Sequence, residues 1–248
     1  MIPTTKAALE ELLRQRRLAP EAPPLRGERR LRPLSTGHAE LDARLGGGLP
    51  RGRLSEAFGP ASSGRTGLAL AVLARVTGTG GLAAWVDPCD RLDPASAAAA
   101  GVHLDRLLWL RGATEAARAA PDATRAVAIL LGSGLFDLVV LDLAAAASRE
   151  LRLLPSTTWV RLQRNIESAD AALLLLAAEH VAKGPGGVSL AFSPQGPRFE
   201  GRGAGRLLVS LRAEVRPGPL ALRGAALELP ATPWNEPRRH GGHGETGA

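Results

Sequence analysis

The chain has 248 residues, is 45% hydrophobic, and carries 31 Lys and Arg against 24 Asp and Glu, for a formal net charge of +7. That length and apolar content suit one good-sized domain with or without extensions. No apolar run approaches the roughly 18 residues of a membrane span, and the single cysteine, Cys89, excludes an internal disulfide. The stretch from Met1 to Arg17 is charged throughout and lacks an apolar signal core, so a cytoplasmic protein is expected. The basic balance fits acidic partners, nucleic acid among them, and fits solubility equally well. Lys6 and Lys183 are the only lysines, and Ala, Gly, Leu and Arg dominate.

In chain order, Thr5 to Arg17 reads as a helix, with Ala8, Leu9, Leu12 and Leu13 at helical spacing and Thr5 able to cap it. A Pro-rich linker follows, giving an N-terminal helical unit over 1–20, a linker over 21–33, a core over 34–229 and a mobile tail over 230–248. The stripe of the first helix is too short to be buried alone, so Leu9, Leu12 and Leu13 dock either on the chain's own core or on a neighbour.

From Leu34 strands and helices alternate. Strands are predicted at Leu54–Phe58, Gly81–Val86, Leu107–Leu110, Leu138–Leu143 and Ala171–Ala177. Helices are predicted at Arg65–Val76, Asp93–Ala100, Glu115–Leu131 with Pro121 marking a break or a second start, and Thr158–Ser168. The β-α order specifies an α/β fold, a mostly parallel sheet with helices on both faces. Short strands at Ser189–Phe192, Arg206–Val215 and Ala226–Leu229 read as a small antiparallel extension.

The most informative segment is Gly59-Pro60-Ala61-Ser62-Ser63-Gly64-Arg65-Thr66. It fits the phosphate-cradling pattern G-x-x-x-x-G-K-[ST] at every fixed position except the lysine, which is an arginine. A strand, a glycine loop and a helix in succession aim backbone N–H groups and a helix dipole at an anion. Thr66 stands where the magnesium hydroxyl belongs. Arg65 keeps the charge, but its planar fork does not occupy the place of a compact ammonium. The run Leu138-Val139-Val140-Leu141-Asp142 has the form of the magnesium-side strand of phosphate-loop proteins, with Asp142 at its end.

These segments, together with Ser35-Thr36-Gly37, Leu41-Asp42 and Leu45-Gly46-Gly47-Gly48-Leu49-Pro50-Arg51-Gly52-Arg53, resemble the RecA ATPase core. The resemblance covers roughly Leu34 to Val215 and implies a RecA-like phosphate-loop fold. The RecA motif D-A-E-H-A-L-D-P aligns with Asp87-Pro88-Cys89-Asp90-Arg91-Leu92-Asp93-Pro94, which places Cys89 where that family has its catalytic glutamate. A thiol of ordinary acidity is no base at neutral pH, and Asp90 is expected to point elsewhere. The resemblance also implies a sensing glutamine after Ala171–Ala177, where this chain reads Ala177-Ala178-Glu179-His180. It further implies two DNA-binding loops, and both are short here.

This combination of losses resembles the ImuA group of RecA-like proteins, accessory factors of bacterial mutagenic translesion synthesis related to the SulA division inhibitors. That resemblance implies a catalytically inactive scaffold, a polymerase-like partner (ImuB), RecA as a further partner, weak or indirect DNA contact, and no required cofactor, with ATP and magnesium held weakly if at all. An active DNA-stimulated ATPase and a SulA-like division inhibitor are the alternatives. His38, His103 and His180 are scattered and His240 and His243 lie in the tail, so no pair has metal-ligand spacing next to Cys89. Trp85, Trp109 and Trp159 are expected in the core. Trp234, in Thr232-Pro233-Trp234-Asn235-Glu236-Pro237, reads either as a partner anchor or as packing on its own domain. Arg149, Arg152, Arg161 and Arg164 read as a basic face or as solvated helix arginines.

Overall fold

The computed structural model describes residues 11, 15, 32–112, 116–167, 169–182, 187–202, 206–217 and 225–230. Among these, eight strands form one sheet: β1 (Leu54–Phe58), β2 (Ala83–Asp87), β3 (Leu107–Arg111), β4 (Leu138–Asp142), β5 (Ala172–Ala177), β6 (Ser189–Glu200), β7 (Leu207–Pro217) and β8 (Ala225–Pro230). The spatial order is β3-β2-β4-β5-β1-β6-β7-β8. Neighbours from β3 through to β6 are parallel; β6, β7 and β8 pair antiparallel. The expected α/β sheet with an antiparallel extension is what the chain forms.

The helices are α1 (Ala39–Arg44), α2 (Arg65–Gly78), α3 (Pro94–Ala99), α4 (Ala116–Ser133), α5 (Ser148–Leu153) and α6 (Thr157–Glu167). Strands β4 and β5 are buried at every position, because a parallel strand with helices on both sides has no wet face. One face packs Val127, Leu130, Leu162 and Ile166 of α4 and α6 on Val139, Leu141, Leu173 and Leu175. The opposite face packs Leu68, Val72, Leu73 and Val76 of α2 on Val140, Leu174 and Leu176. On α6 the buried residues Trp159, Leu162, Gln163 and Ile166 recur at helical spacing.

Several expectations need correction. Pro121 does not break α4, which runs through it. Little more than one turn precedes this proline, so few carbonyls stand in the way of its ring. Helices α1 and α5 were not foreseen. Strand β6 is twelve residues long rather than a short strand, with irregular pairing between Pro194 and Gly196 and between Arg198 and Phe199. Those interruptions let a strand accommodate proline and glycine. Trp85 and Trp159 are core residues, whereas Trp109 is half-buried, with the Arg111 guanidinium 4.6 Å from its ring centre. The predicted N-terminal helix, including Leu9, Leu12 and Leu13, lies outside the described residues apart from Glu11 and Gln15, both helical; Trp234 and the tail over 231–248 lie outside them too.

Candidate functional site: a phosphate-type loop with its cation turned inward

Strand β1 delivers the chain to Gly59, and α2 begins at Arg65, so residues 59–64 form the loop between them. The glycines have steric reasons. A side chain at Gly59 would meet the Phe192 carbonyl oxygen of β6 at 2.5 Å. Gly64 has φ +96° and lies against Leu229 of β8, so a side chain there would be strained and would collide. Ser62 also adopts a left-handed conformation, φ +58°. The loop is therefore packed between β6 and β8 on one side and the start of α2 on the other. Pro60, Ala61, Ser62 and Thr66 are exposed, while Gly59, Ser63 and Arg65 are buried.

Arg65 folds back into this loop. Its Nη1 donates to the carbonyl oxygens of Gly59 and Pro60, and the Ser63 hydroxyl lies 3.5 Å away. Its Nε is buried without a hydrogen-bond partner among the described residues. Burial lowers the guanidinium's pKa, and the Asp142 carboxylate partly offsets this. The group that would face a phosphate in the family pattern is thus engaged by carbonyl oxygens of its own loop.

Asp142 ends β4, with β5 lying between β4 and β1 in the sheet. It is 5% exposed and accepts one hydrogen bond, from the Ala144 N–H at 3.0 Å. Its carboxyl is pushed up to about 6, chiefly by burial and with help from Asp87, against the opposing pull of the Ala144 N–H, Arg65 and Arg91. Asp87, at the end of β2, is fully buried. Its Oδ2 accepts from the N–H groups of Arg91 and Leu92, each at 2.8 Å, and from the Trp109 indole at 3.2 Å; its Oδ1 has no partner among the described residues. This carboxylate folds the segment that carries Cys89.

Cys89 is half-buried. Burial raises its thiol's pKa, and Asp142, Asp87 and Glu150 raise it further against a smaller pull from Arg91. The thiol is therefore less able to serve as a base than an ordinary cysteine. Asp90, at φ +54°, is held by Arg111 through two hydrogen bonds of 2.7 and 2.6 Å. That engagement matches the expectation that Asp90 points elsewhere.

Sequence reasoning missed three residues. Glu150, on α5, acts electrostatically on Cys89 from a segment that reads as a shortened loop. Gln163, on the buried stripe of α6, accepts from the Leu54 N–H at 3.0 Å and so fixes the start of β1; a lone amide on an apolar stripe was the available signal. Glu56, 1% exposed on β1, receives the N–H of Val181 at 2.8 Å and lies 2.5 Å from Nδ1 of His180, which stacks on Phe58. This buried carboxylate anchors the segment that follows β5. Arg149, Arg161 and Arg164 are exposed; the side chain of Arg152 lies outside the described residues.

Comparison with known proteins agrees with this architecture. The model of the RecA N-terminal domain matches residues 25–155. Protein RecA of Nostoc punctiforme is 45% identical over 117 residues, covering 47% of this chain and 31% of the relative. Protein RecA of Arthrospira platensis is 46% identical over 113 residues, covering 46% and 30%. Protein RecA of Streptococcus pyogenes is 42% identical over 126 residues, covering 49% and 31%. The matched segment thus spans about a third of the length of these curated relatives. With more than half of its residues matched by the family model, the chain belongs to the RecA N-terminal domain family.

Proposed function

We propose that this protein is a RecA-fold accessory factor without ATPase activity, of the ImuA type, which serves mutagenic translesion DNA synthesis as a docking scaffold. Its main partner is a polymerase-like protein of the ImuB type, and RecA is the second. The observation that carries the reading is the inward turn of Arg65, whose guanidinium is held by the Gly59 and Pro60 carbonyls. A triphosphate needs loop N–H groups and a cation facing outward together. The loop as built does not fit a tightly held nucleotide, because its guanidinium is engaged from within. Asp142, with its carboxyl pushed up to about 6, is a weaker magnesium-side ligand than an ordinary aspartate. Cys89 contributes no base beside it.

An active ATPase is the second reading, and one observation favours it: Glu150 brings a carboxylate to the side where Cys89 stands. The two readings part on nucleotide binding. Calorimetric titration of the full chain with ATP and magnesium is expected to show at most millimolar affinity, whereas micromolar binding would overturn the scaffold reading's account of the loop. Co-expression with a polymerase-like partner is expected to give a stable complex that survives Asp142→Asn, because docking does not use the phosphate loop. Loss of the complex on mutating Leu9, Leu12 and Leu13 to serine would place the docking surface on the N-terminal segment.

A further inference from the structure

A cavity of about 160 Å³ lies at the amino ends of β1, β2 and β4, at the opposite edge of the sheet from the phosphate-type loop. Arg51 precedes β1, Gly81 precedes β2 and Asp137 precedes β4, and the end of α2 brings Arg75 and Thr79 beside them. Pro33, Leu34 and Val76 supply apolar wall. Ligands of open α/β sheets ordinarily bind at the carboxyl ends of the strands, so binding at this end has to come from its side chains.

The polar groups of the wall are unequally engaged. The Ser35 hydroxyl donates to Asp42 at 2.6 Å, and the Thr79 hydroxyl is turned to the carbonyl oxygens of Arg75 and Val76, each at 3.0 Å. Asp137 accepts from Nη1 of Arg51 at 3.1 Å, and a Cβ at Gly81 would come 2.6 Å from its Oδ2. The guanidinium groups keep donors to spare. Nη1 of Arg51 also donates to the Asp170 carbonyl oxygen at 2.6 Å, but Nε is buried without a partner and Nη2 makes no hydrogen bond among the described residues. The Arg51 side chain is 8% exposed, so it has given up most of its water without a full set of replacements. Arg75 is exposed, and its guanidinium has neither ion pair nor hydrogen bond among the described residues.

The unused edge of Arg51 has a defined chemistry. Nε and Nη2 share one edge of the guanidinium, the fork that matches two oxygens of a carboxylate or phosphate. Elsewhere in this protein that edge holds a carboxylate. Nε and Nη2 of Arg111 meet the two oxygens of Asp90 at 2.7 and 2.6 Å, and those of Arg216 meet Glu214 at 3.0 and 3.3 Å. At Arg51, with Nη1 engaged and Nε enclosed, Nη2 is the nitrogen left to meet a ligand. Two arginines stand in the wall against one carboxylate that is already paired, which selects an anion over a cation. A cavity of roughly 150 Å³ accepts a molecule of benzene's size, so the space suits one acidic group on a short carbon skeleton.

We propose that this cavity is a binding site for a small oxyanion, a carboxylate or phosphate group held between Arg51 and Arg75 with its carbon skeleton against Leu34 and Val76. Asp137 holds Arg51 through Nη1 and so leaves the opposite edge to the ligand. The site uses no part of the phosphate-type loop and is independent of how that loop is read.

Nuclear magnetic resonance of the isotope-labelled full chain, titrated with succinate and separately with inorganic phosphate, tests the site, with sodium chloride at matched ionic strength as the control. Saturable shifts beyond those of chloride are expected at the amides of Ser35, Arg75, Thr79 and Gly81 and at the Arg51 Nε–H. A response to succinate alone assigns a carboxylate ligand, to phosphate alone a phosphate, and to both the chemistry the two share. Arg75→Gln, at an exposed position with no side-chain partner to lose, is expected to leave the thermal melt unchanged and to weaken binding about tenfold or more. The absence of saturable shifts with both anions, shifts confined to residues 59–66, or unchanged affinity in Arg75→Gln overturns the proposal.

Discussion

At the scale of single residues, the site is governed by burial. The Asp142 carboxyl stands at about 6 in the fold against 3.8 as its ordinary value. Because the folded-state pKa is raised, the folded protein keeps this proton through a window in which the unfolded chain has lost it. Stability therefore falls as pH rises across that window, and the cost is complete above it. The shift corresponds to about 3 kcal/mol at most. Asp142→Asn keeps an acceptor for the Ala144 N–H and removes the charge. It is expected to raise stability in denaturant melts at pH 8, with the advantage gone at pH 4; equal stability of the two proteins at pH 8 would contradict this. Arg65→Lys is the complementary change. Lysine's side chain is one bond shorter than the reach to Nη1, the single nitrogen that meets both loop carbonyls, so its ammonium is released to face outward. A gain of at least about tenfold in ATP affinity by calorimetry, roughly 1.4 kcal/mol, is expected. The sequence revealed that position 65 departs from the pattern. It did not reveal where the guanidinium goes, because that depends on the conformation of the loop packed against β6.

At the scale of elements, strands were legible where burial made them uniform. Every residue of β4 and β5 is buried, so an unbroken apolar run was sufficient. Helices α1 and α5 escaped because six residues present too few apolar positions for a period to show; α1 buries only Leu41. Its reason is polar instead: Asp42 accepts from the Ser35 hydroxyl at 2.6 Å and from the Thr36 N–H at 2.8 Å, which folds the preceding turn onto the helix. The antiparallel extension was read as an appendage, yet Leu229 of β8 packs on Gly64 and Gly67 and so closes over the phosphate-type loop. Leu229→Ala is expected to cost about 2–4 kcal/mol by leaving a cavity there. Gly64→Ala meets Leu229 and a left-handed backbone, and is expected to cost about 1–3 kcal/mol. Thermal melts check both; a neutral Leu229→Ala would mean that β8 does not brace the loop.

At the scale of the whole molecule, the two ends of the sheet are held differently. Arg51, before β1, makes a 3.1 Å ion pair with Asp137, before β4, and donates at 2.6 Å to the carbonyl oxygen of Asp170, before β5. Both partners of the pair are 8% exposed, so three strands are tied together at their amino ends. Arg51→Met leaves a buried carboxylate without this partner, and is expected to cost about 3–5 kcal/mol in denaturant unfolding. At the carboxyl ends, polar groups are engaged by the fold itself: Arg65 by its loop, Asp87 by backbone N–H groups, Asp90 by Arg111. The fold is thus firmly braced, and Arg65, the cation of the phosphate-type loop, is occupied internally. The central claim is that this body docks rather than turns over nucleotide, and phosphate release by the purified full chain tests it most directly. With ATP and magnesium, and with or without single-stranded DNA, we expect release indistinguishable from buffer; DNA-stimulated release that disappears in Asp142→Asn would contradict the account.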